Sequence, residues 1–261
     1  MSKMLIVGNW KMNLNVSQAS RLVLQLHKNI KTQRNVEVVL APSMLALQPL
    51  SLQIDRRRFR LAAQDAYFID EGAYTGEVSF AMLRELVHYA IIGHSERRLY
   101  FHETLEIVRD KVAAAVRNDI SPILCIGESK RERQAGETKQ VIHDQLMTAL
   151  SNLTGVDIEN VVIAYEPVWA ISTFEGEIAN PDEIGRMIAF IRQQIADLYG
   201  TRSAKAVRVL YGGSVDDQIV SGYLNLEGCD GALVGNASLH YLKFAEIVAI
   251  AEQIQAKKLK A

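Results

Sequence analysis

A chain of 261 residues with 49% hydrophobic side chains can bury one large α/β core, and its 29 basic and 30 acidic residues leave a formal net charge of -1. That balance gives no electrostatic reason to expect nucleic acid or a membrane surface as partner, so ligands must be sought in local clusters. The two cysteines, Cys125 and Cys229, lack CxxC spacing, which argues against a disulfide framework, a thioredoxin-type motif or structural zinc.

The first apolar run, at 4–7, is far too brief for a signal-peptide core or a membrane span, so a soluble, cytoplasmic protein is expected. Sequons beginning at Asn15, Asn152 and Asn236 are therefore expected to be silent. Along the chain, short β-branched or apolar runs alternate with longer stretches of helical spacing. Strands are predicted at 5–7, 36–40, 60–63, 89–92, 122–126, 161–165, 207–210 and 232–234. Helices are predicted near 17–31, 44–54, 79–88, 104–118, 138–153, 181–199, 216–224 and 240–255. Most of the strands are apolar throughout, as expected when helices cover a parallel sheet. Ser17 and Asp216 are placed to cap helices, and Pro181 behind Asn180 fits a first-turn proline after its cap. No low-complexity linker interrupts the series, so residues 1–261 read as a single domain. A doubly wound open sheet is the rival arrangement. Eight βα units with mostly short connections and no nucleotide-binding glycine motif favour closure into an α/β, single-domain (β/α)8 barrel.

In such a barrel the residues just past each strand carry the chemistry. Here they are Asn9 and Lys11 after the first strand, Gln64 and Asp65 after the third, and His94, Ser95 and Glu96 after the fourth. Glu128 follows the fifth, Glu166 the sixth, Gly212, Gly213 and Ser214 the seventh, and Gly235 and Asn236 the eighth. One rim thus holds a carboxylate, an imidazole, an ammonium, an amide and two small-residue loops able to turn backbone N–H groups toward an anion. Proton abstraction beside a carbonyl needs that set: a base for the carbon acid, an electrophile for the developing oxyanion and an anion site. Each group alone has an ordinary reading, Glu166 as an exposed loop acid, His94 as a turn histidine and Lys11 as a solvated charge. Rigid placement after a buried strand is what raises the reactive reading. A helix starting behind His94 would also disfavour its charged form. Arg56-Arg57-Arg58 is read as a solvated helix end rather than a nucleic-acid patch, and Lys257, Lys258 and Lys260 as a fraying C-terminal helix. No metal-ligand, dinucleotide or Walker motif occurs, so neither a metal nor a cofactor is expected.

Seven stretches, in order, resemble the triosephosphate isomerase family over essentially the whole chain. They are Gly8-Asn9-Trp10-Lys11-Met12-Asn13, Gly72-Ala73-Tyr74-Thr75-Gly76-Glu77, Ile92-Gly93-His94-Ser95-Glu96-Arg97-Arg98, Cys125-Ile126-Gly127-Glu128, Ala164-Tyr165-Glu166-Pro167-Val168-Trp169-Ala170-Ile171, Tyr211-Gly212-Gly213-Ser214-Val215 and Asp230-Gly231-Ala232-Leu233-Val234-Gly235. The resemblance implies a TIM barrel that interconverts dihydroxyacetone phosphate and glyceraldehyde 3-phosphate through an enediol, a step of glycolysis and gluconeogenesis. It makes Glu166 the base, a neutral His94 the electrophile, and Asn9 and Lys11 the holders of substrate oxygens. Glu96 is implied to support the site from behind His94, and Ser172, Ser214, Gly235 and Asn236 to bind the phosphate. The segment from Gly72 to Glu77 resembles the family's interdigitating loop, which implies a homodimer with Thr75 near the partner's active site. An isolated subunit is then expected to leave Asn9 and Lys11 poorly ordered.

Three departures from the family pattern stand out. The lid stretch adds Phe174 and Glu175, puts Ser172 where glycine is usual, and replaces a lysine by Glu177. Asn236 replaces the second glycine of the phosphate loop, and asparagine enters the left-handed region readily enough for such a geometry to be expected there. Asp65 replaces an asparagine, a change expected to act from behind the site. Two alternatives are consistent with these departures: an isomerase of a related sugar phosphate such as a tetrulose phosphate, and a phospholigand-binding barrel with impaired catalysis.

Overall fold

The computed structural model of the protein describes residues 3–171 and 177–260. Its strands are β1 Met4–Asn9, β2 Val36–Ala41, β3 Arg60–Ala63, β4 Tyr89–Ile92, β5 Ser121–Ile126, β6 Val162–Tyr165, β7 Arg208–Tyr211 and β8 Gly231–Val234. They pair in sequence order, all parallel, and β8 returns to β1 with Leu5 opposite Gly231 and Gly8 opposite Val234, closing the barrel. Alternation along each strand sorts side chains into two cores. Leu5, Val7, Val39, Ile91, Ile123, Ala164, Leu210 and Leu233 fill the interior, while Ile6, Val38, Leu40, Ile92, Leu124, Ile163 and Val209 face the helical shell. The expected (β/α)8 barrel is therefore what forms, and every predicted strand is present within a residue or two of its predicted bounds.

The helices show where local signals were misread. Helix α1, Val16–Asn29, is capped by Asn15 and not by Ser17: the Asn15 side chain and Gln18 exchange reciprocal hydrogen bonds of 2.9 Å with each other's backbone N–H, a complete capping box. Helix α2 is Met44–Gln53. Of the helix predicted at 79–88 only α3, Phe80–Leu83, forms, because the chain turns at 84–86 to reach β4. Helix α4, Ser95–Tyr100, starts directly behind His94, and α6, Lys130–Gln134, was not predicted; the two flank α5, Leu105–Arg117. Helix α7 is Thr138–Leu150. Helix α8, Pro181–Ala206, starts as expected, with Asn180 accepting the Asp182 N–H. Its predicted end at 199 coincides with a break at Gly200, whose φ of 84° interrupts the helix before it resumes.

Helix α9, Val220–Leu224, begins later than predicted, and Asp216 instead caps the turn ahead of it by accepting the N–H groups of Gln218 and Ile219. Helix α10, Tyr241–Lys258, does not fray at Lys258, whose ammonium donates to the carbonyls of Leu224 at 2.8 Å, Leu226 at 3.3 Å and Cys229 at 3.4 Å. Among the described residues no helix is long and apolar enough to cross a membrane.

Candidate active site

The C-terminal strand ends open onto a cavity of about 240 Å³ whose lining includes Asn9, Lys11, His94, Glu166, Ser214, Gly235 and Asn236. Asn9, the last residue of β1, is buried and its side-chain oxygen accepts the Lys11 N–H at 3.0 Å. Lys11 sits in the left-handed region with φ 52°, a conformation that costs a non-glycine residue roughly 1–2 kcal/mol. Gln64 offsets that cost: its amide donates to the carbonyls of Lys11 and Ala41, both at 2.9 Å, tying the loop after β1 to β2 and β3. The Lys11 ammonium then reaches Glu96 at 2.6 Å. Glu96 lies in the first turn of α4, where a carboxylate is favoured by the helix dipole.

His94 caps that same helix. Its Nδ1 accepts the Glu96 N–H at 3.2 Å, which leaves Nε2 as the ring's donor nitrogen. The geometry thus selects the neutral tautomer with Nε2–H as donor. Nε2 lies 3.3 Å from Oε1 of Glu166, and the Ser95 N–H approaches Oε2 at 3.4 Å.

Glu166 is 1% exposed, which disposes of the exposed-loop reading of a glutamate before proline. It is held by omission as much as by contact. A β-carbon on Gly127 would stand 1.8 Å from the Glu166 carbonyl oxygen, and one on Gly212 would stand 2.7 Å from its Cγ. Beneath it, burial and then the Glu166 carboxylate push the Cys125 thiol well above its ordinary range, so that cysteine stays a neutral thiol. The chain leaving Glu166 is pinned by Glu128, which accepts the Trp169 indole N–H at 2.8 Å and the Tyr165 hydroxyl at 3.1 Å. Burial raises the Glu128 carboxyl above its usual range, against those hydrogen bonds. Arg133 covers the other side of Trp169, its guanidinium 3.7 Å from the ring centroid.

Across the cavity, the Ser214 N–H is committed to the Ala170 carbonyl at 2.9 Å, while its buried hydroxyl has no partner among the described residues. Gly235 leads into a short 3₁₀ turn, Asn236–Leu239. Asn236 does not adopt the left-handed backbone expected of it; starting that turn requires only the right-handed region. Ser172, Phe174 and Glu175 lie outside the described residues. Glu177 accepts from Lys130 at 3.0 Å.

Asp65 accepts from the Lys111 ammonium at 2.7 and 2.8 Å, and Arg97 approaches it at 2.9 Å. Lys111 also reaches Glu103 at 2.5 Å, which links the loop after β3 to α5. The stretch 71–77 is exposed throughout, with Tyr74 packed on Tyr67 at 4.8 Å.

The structure therefore brings Asn9, Lys11, His94, Glu166, Ser214, Gly235 and Asn236 around one cavity, with Glu96 on the Lys11 ammonium. Gln64 as the clamp on Lys11 was not assigned from sequence. Its position after a strand was visible, but a glutamine's choice of carbonyl is a tertiary matter. Among the described residues no group of three or more His, Cys, Asp and Glu side chains is arranged to hold a metal ion.

Comparison with known proteins points to one family. The chain is 45% identical over 249 residues to the triosephosphate isomerase of Caldanaerobacter subterraneus subsp. tengcongensis, covering 95% of this chain and 99% of that one. It is 40% identical over 257 residues to that of Dehalococcoides mccartyi, covering 98% and 100%. With that of Citrifermentans bemidjiense it shares 45% over 253 residues, covering 97% and 100%. The family model described as triosephosphate isomerase matches residues 4–251, and with the closed barrel and its rim this places the chain in the triosephosphate isomerase family.

Proposed function

We propose that the chain interconverts dihydroxyacetone phosphate and D-glyceraldehyde 3-phosphate, in glycolysis and gluconeogenesis, with Glu166 moving the proton. The observation that carries the residue assignment is the facing pair of the Glu166 carboxylate and the His94 Nε2–H, 3.3 Å apart, beside Lys11 and Asn9 in one cavity. The carboxylate removes a proton from the substrate carbon next to the carbonyl, and the C–H electron pair moves to form the enediolate. His94 donates a hydrogen bond to the oxygen on which charge develops, and the Lys11 ammonium lowers the energy of that charge. The hydroxyl proton of the enediolate passes to the oxygen that carries the charge, by way of His94 Nε2, and the protonated Glu166 returns its proton to the neighbouring carbon, so atoms and charge balance without an external acceptor. Asn9 sets the Lys11 backbone, and Glu96 aims its ammonium. The Ser214 hydroxyl and the backbone at Gly235 and Asn236 take the phosphate.

The reading extends to a homodimer. Met12, next to Lys11, is 97% exposed, and Leu45, Met82 and Phe101 are 82%, 65% and 64% exposed. These apolar side chains lie on segments near the reacting groups, and a second copy carrying its protruding loop with Thr75 fits them. Two buried, unpaired cysteines fit a reducing compartment, and we place the protein in the cytoplasm.

The first test is the initial rate of purified protein on glyceraldehyde 3-phosphate without added metal or nucleotide, with a tetrose phosphate in parallel. Faster conversion of the tetrose, or phosphate binding with no conversion of either, would overturn the reading. For the assembly, Thr75→Arg is expected to give a monomer by light scattering; an unchanged dimer would remove that loop from the interface.

A further inference from the structure

The arginine run at 56–58, read from sequence as a solvated helix end, meets other cations in the folded chain. At the floor of the barrel, under the N-terminal ends of β2 to β5, a cleft of about 780 Å³ is lined in part by Arg56, Arg60, Arg84 and His88. It adjoins a pocket of about 240 Å³ whose charged lining is Lys3, Arg56, Arg57, Arg58, Arg60 and a single carboxylate, Glu37. The two share Glu37, Arg56 and Arg60.

The carboxylates here offset only part of the positive charge. Glu37 accepts from Arg208 at 2.9 Å and from the Tyr89 hydroxyl at 3.0 Å, and lies 3.9 Å from Arg60. Asp119 pairs with Arg84, and Asp55 with Arg57 at 3.3 Å. Glu85 is the acid left in the wider cleft. On the cationic side, Arg58 donates to the neutral carbonyls of His27 and Ile30, which leave its charge uncompensated. Arg56 makes no hydrogen bond or ion pair with the described residues.

His88 adds a donor. Arg60 Nη1 lies 2.5 Å from its Nε2, and a guanidinium only donates, so Nε2 accepts and the proton sits on Nδ1. That Nδ1 is buried with no partner among the described residues. Burial, then the charges of Arg60 and Arg56, hold the imidazole below its ordinary range. An excess of guanidinium forks, an orphaned N–H and a shortage of acceptors together describe a receptor for a compact, multiply charged oxyanion.

We propose that this floor cleft binds a diphosphate or triphosphate group, free or as the tail of a nucleotide, at a site separate from the catalytic rim. The narrow pocket takes the phosphates, where the planar guanidinium groups match their oxygens. The wider cleft leaves room for whatever the phosphates carry. Nucleic acid is a poorer fit, because the cationic side chains are gathered into a small recess on a chain whose net charge is -1.

Calorimetric titration of the full-length protein with sodium tripolyphosphate, and separately with ATP, at low ionic strength tests this. Expected are saturable binding to the wild type, about tenfold weaker binding to Arg56→Gln, and no change with Arg21→Gln, which removes a charge from the outer face of α1. Arg56 is exposed and unpartnered, so its replacement leaves folding and the triose phosphate KM unchanged. By NMR the His88 imidazole is expected to titrate at higher pH when tripolyphosphate is bound. Tighter binding of ATP than of tripolyphosphate identifies a nucleotide, and equal binding a polyphosphate alone. Equal affinity of wild type and Arg56→Gln, or purely competitive inhibition of the isomerase with His88 unmoved, would overturn the proposal.

Discussion

At the floor of the barrel, Glu37 of β2 is shared by Arg208 of β7 and Tyr89 of β4, so these three groups across the barrel end satisfy one another, beside the unpartnered Arg56 and His88 Nδ1. At the rim the same strands end in groups aimed into a cavity: a left-handed Lys11, a His94 held by its cap, and a Glu166 with long contacts to His94 and Ser95. Interactions that close on themselves stabilise the fold and leave nothing to react. Interactions left facing a cavity contribute little stability and supply the chemistry, and they persist because the packed barrel beneath holds them.

Substitutions at the two ends are therefore expected to separate activity from stability. Glu166→Gln is expected to lower kcat by about 10³-fold, near 4 kcal/mol of barrier, with an unchanged urea midpoint. Wild-type turnover would remove Glu166 from its role. At the floor, Glu37→Ala strands Arg208 and Tyr89, and because the site is only partly buried a loss of about 2–3 kcal/mol is expected, read as a lower thermal midpoint with the isomerase rate at 25 °C intact. A matching fall in kcat would show that the two ends are coupled.

Gly212→Ala probes how tightly the rim is held. A β-carbon 2.7 Å from Glu166 Cγ forces the base aside, and displacement of a reacting group by even about 1 Å costs as much as 10²-fold in rate. A drop in kcat with little change in KM is expected, whereas a change confined to KM would mean that the glycine serves the phosphate instead. The smallest effect is expected for Glu177→Gln, which breaks a pair with Lys130 whose side chains are 42% and 51% exposed. Such a pair contributes under about 1 kcal/mol, so turnover should stay within roughly twofold across salt concentrations.

Much of this was legible in the chain. The eight strands were visible because each is a short apolar run that has to be covered on both faces, and the rim residues because they follow those runs directly. The short helix α6 was not, since five residues carry too little periodicity to be recognised. The cap at Asn15 was missed because Ser17 offers an equally good side chain, and only the reciprocal bond from Gln18 decides between them. The left-handed backbone expected at Asn236 failed because its residue type permits that geometry without demanding it.

Local chemistry, then, determined the barrel, the strand ends and the identity of the groups that meet at the rim, because burial pattern and chain order are properties of the sequence itself. Tertiary structure alone decided which partner each polar group takes: Gln64 on the Lys11 carbonyl, Lys111 between Asp65 and Glu103, Lys258 on the carbonyls around α9, and the floor cations around Arg56. The reason is physical. Hydrogen bonds and ion pairs act over about 3–4 Å, and residues far apart in the chain come that close only after the hydrophobic core has set their positions.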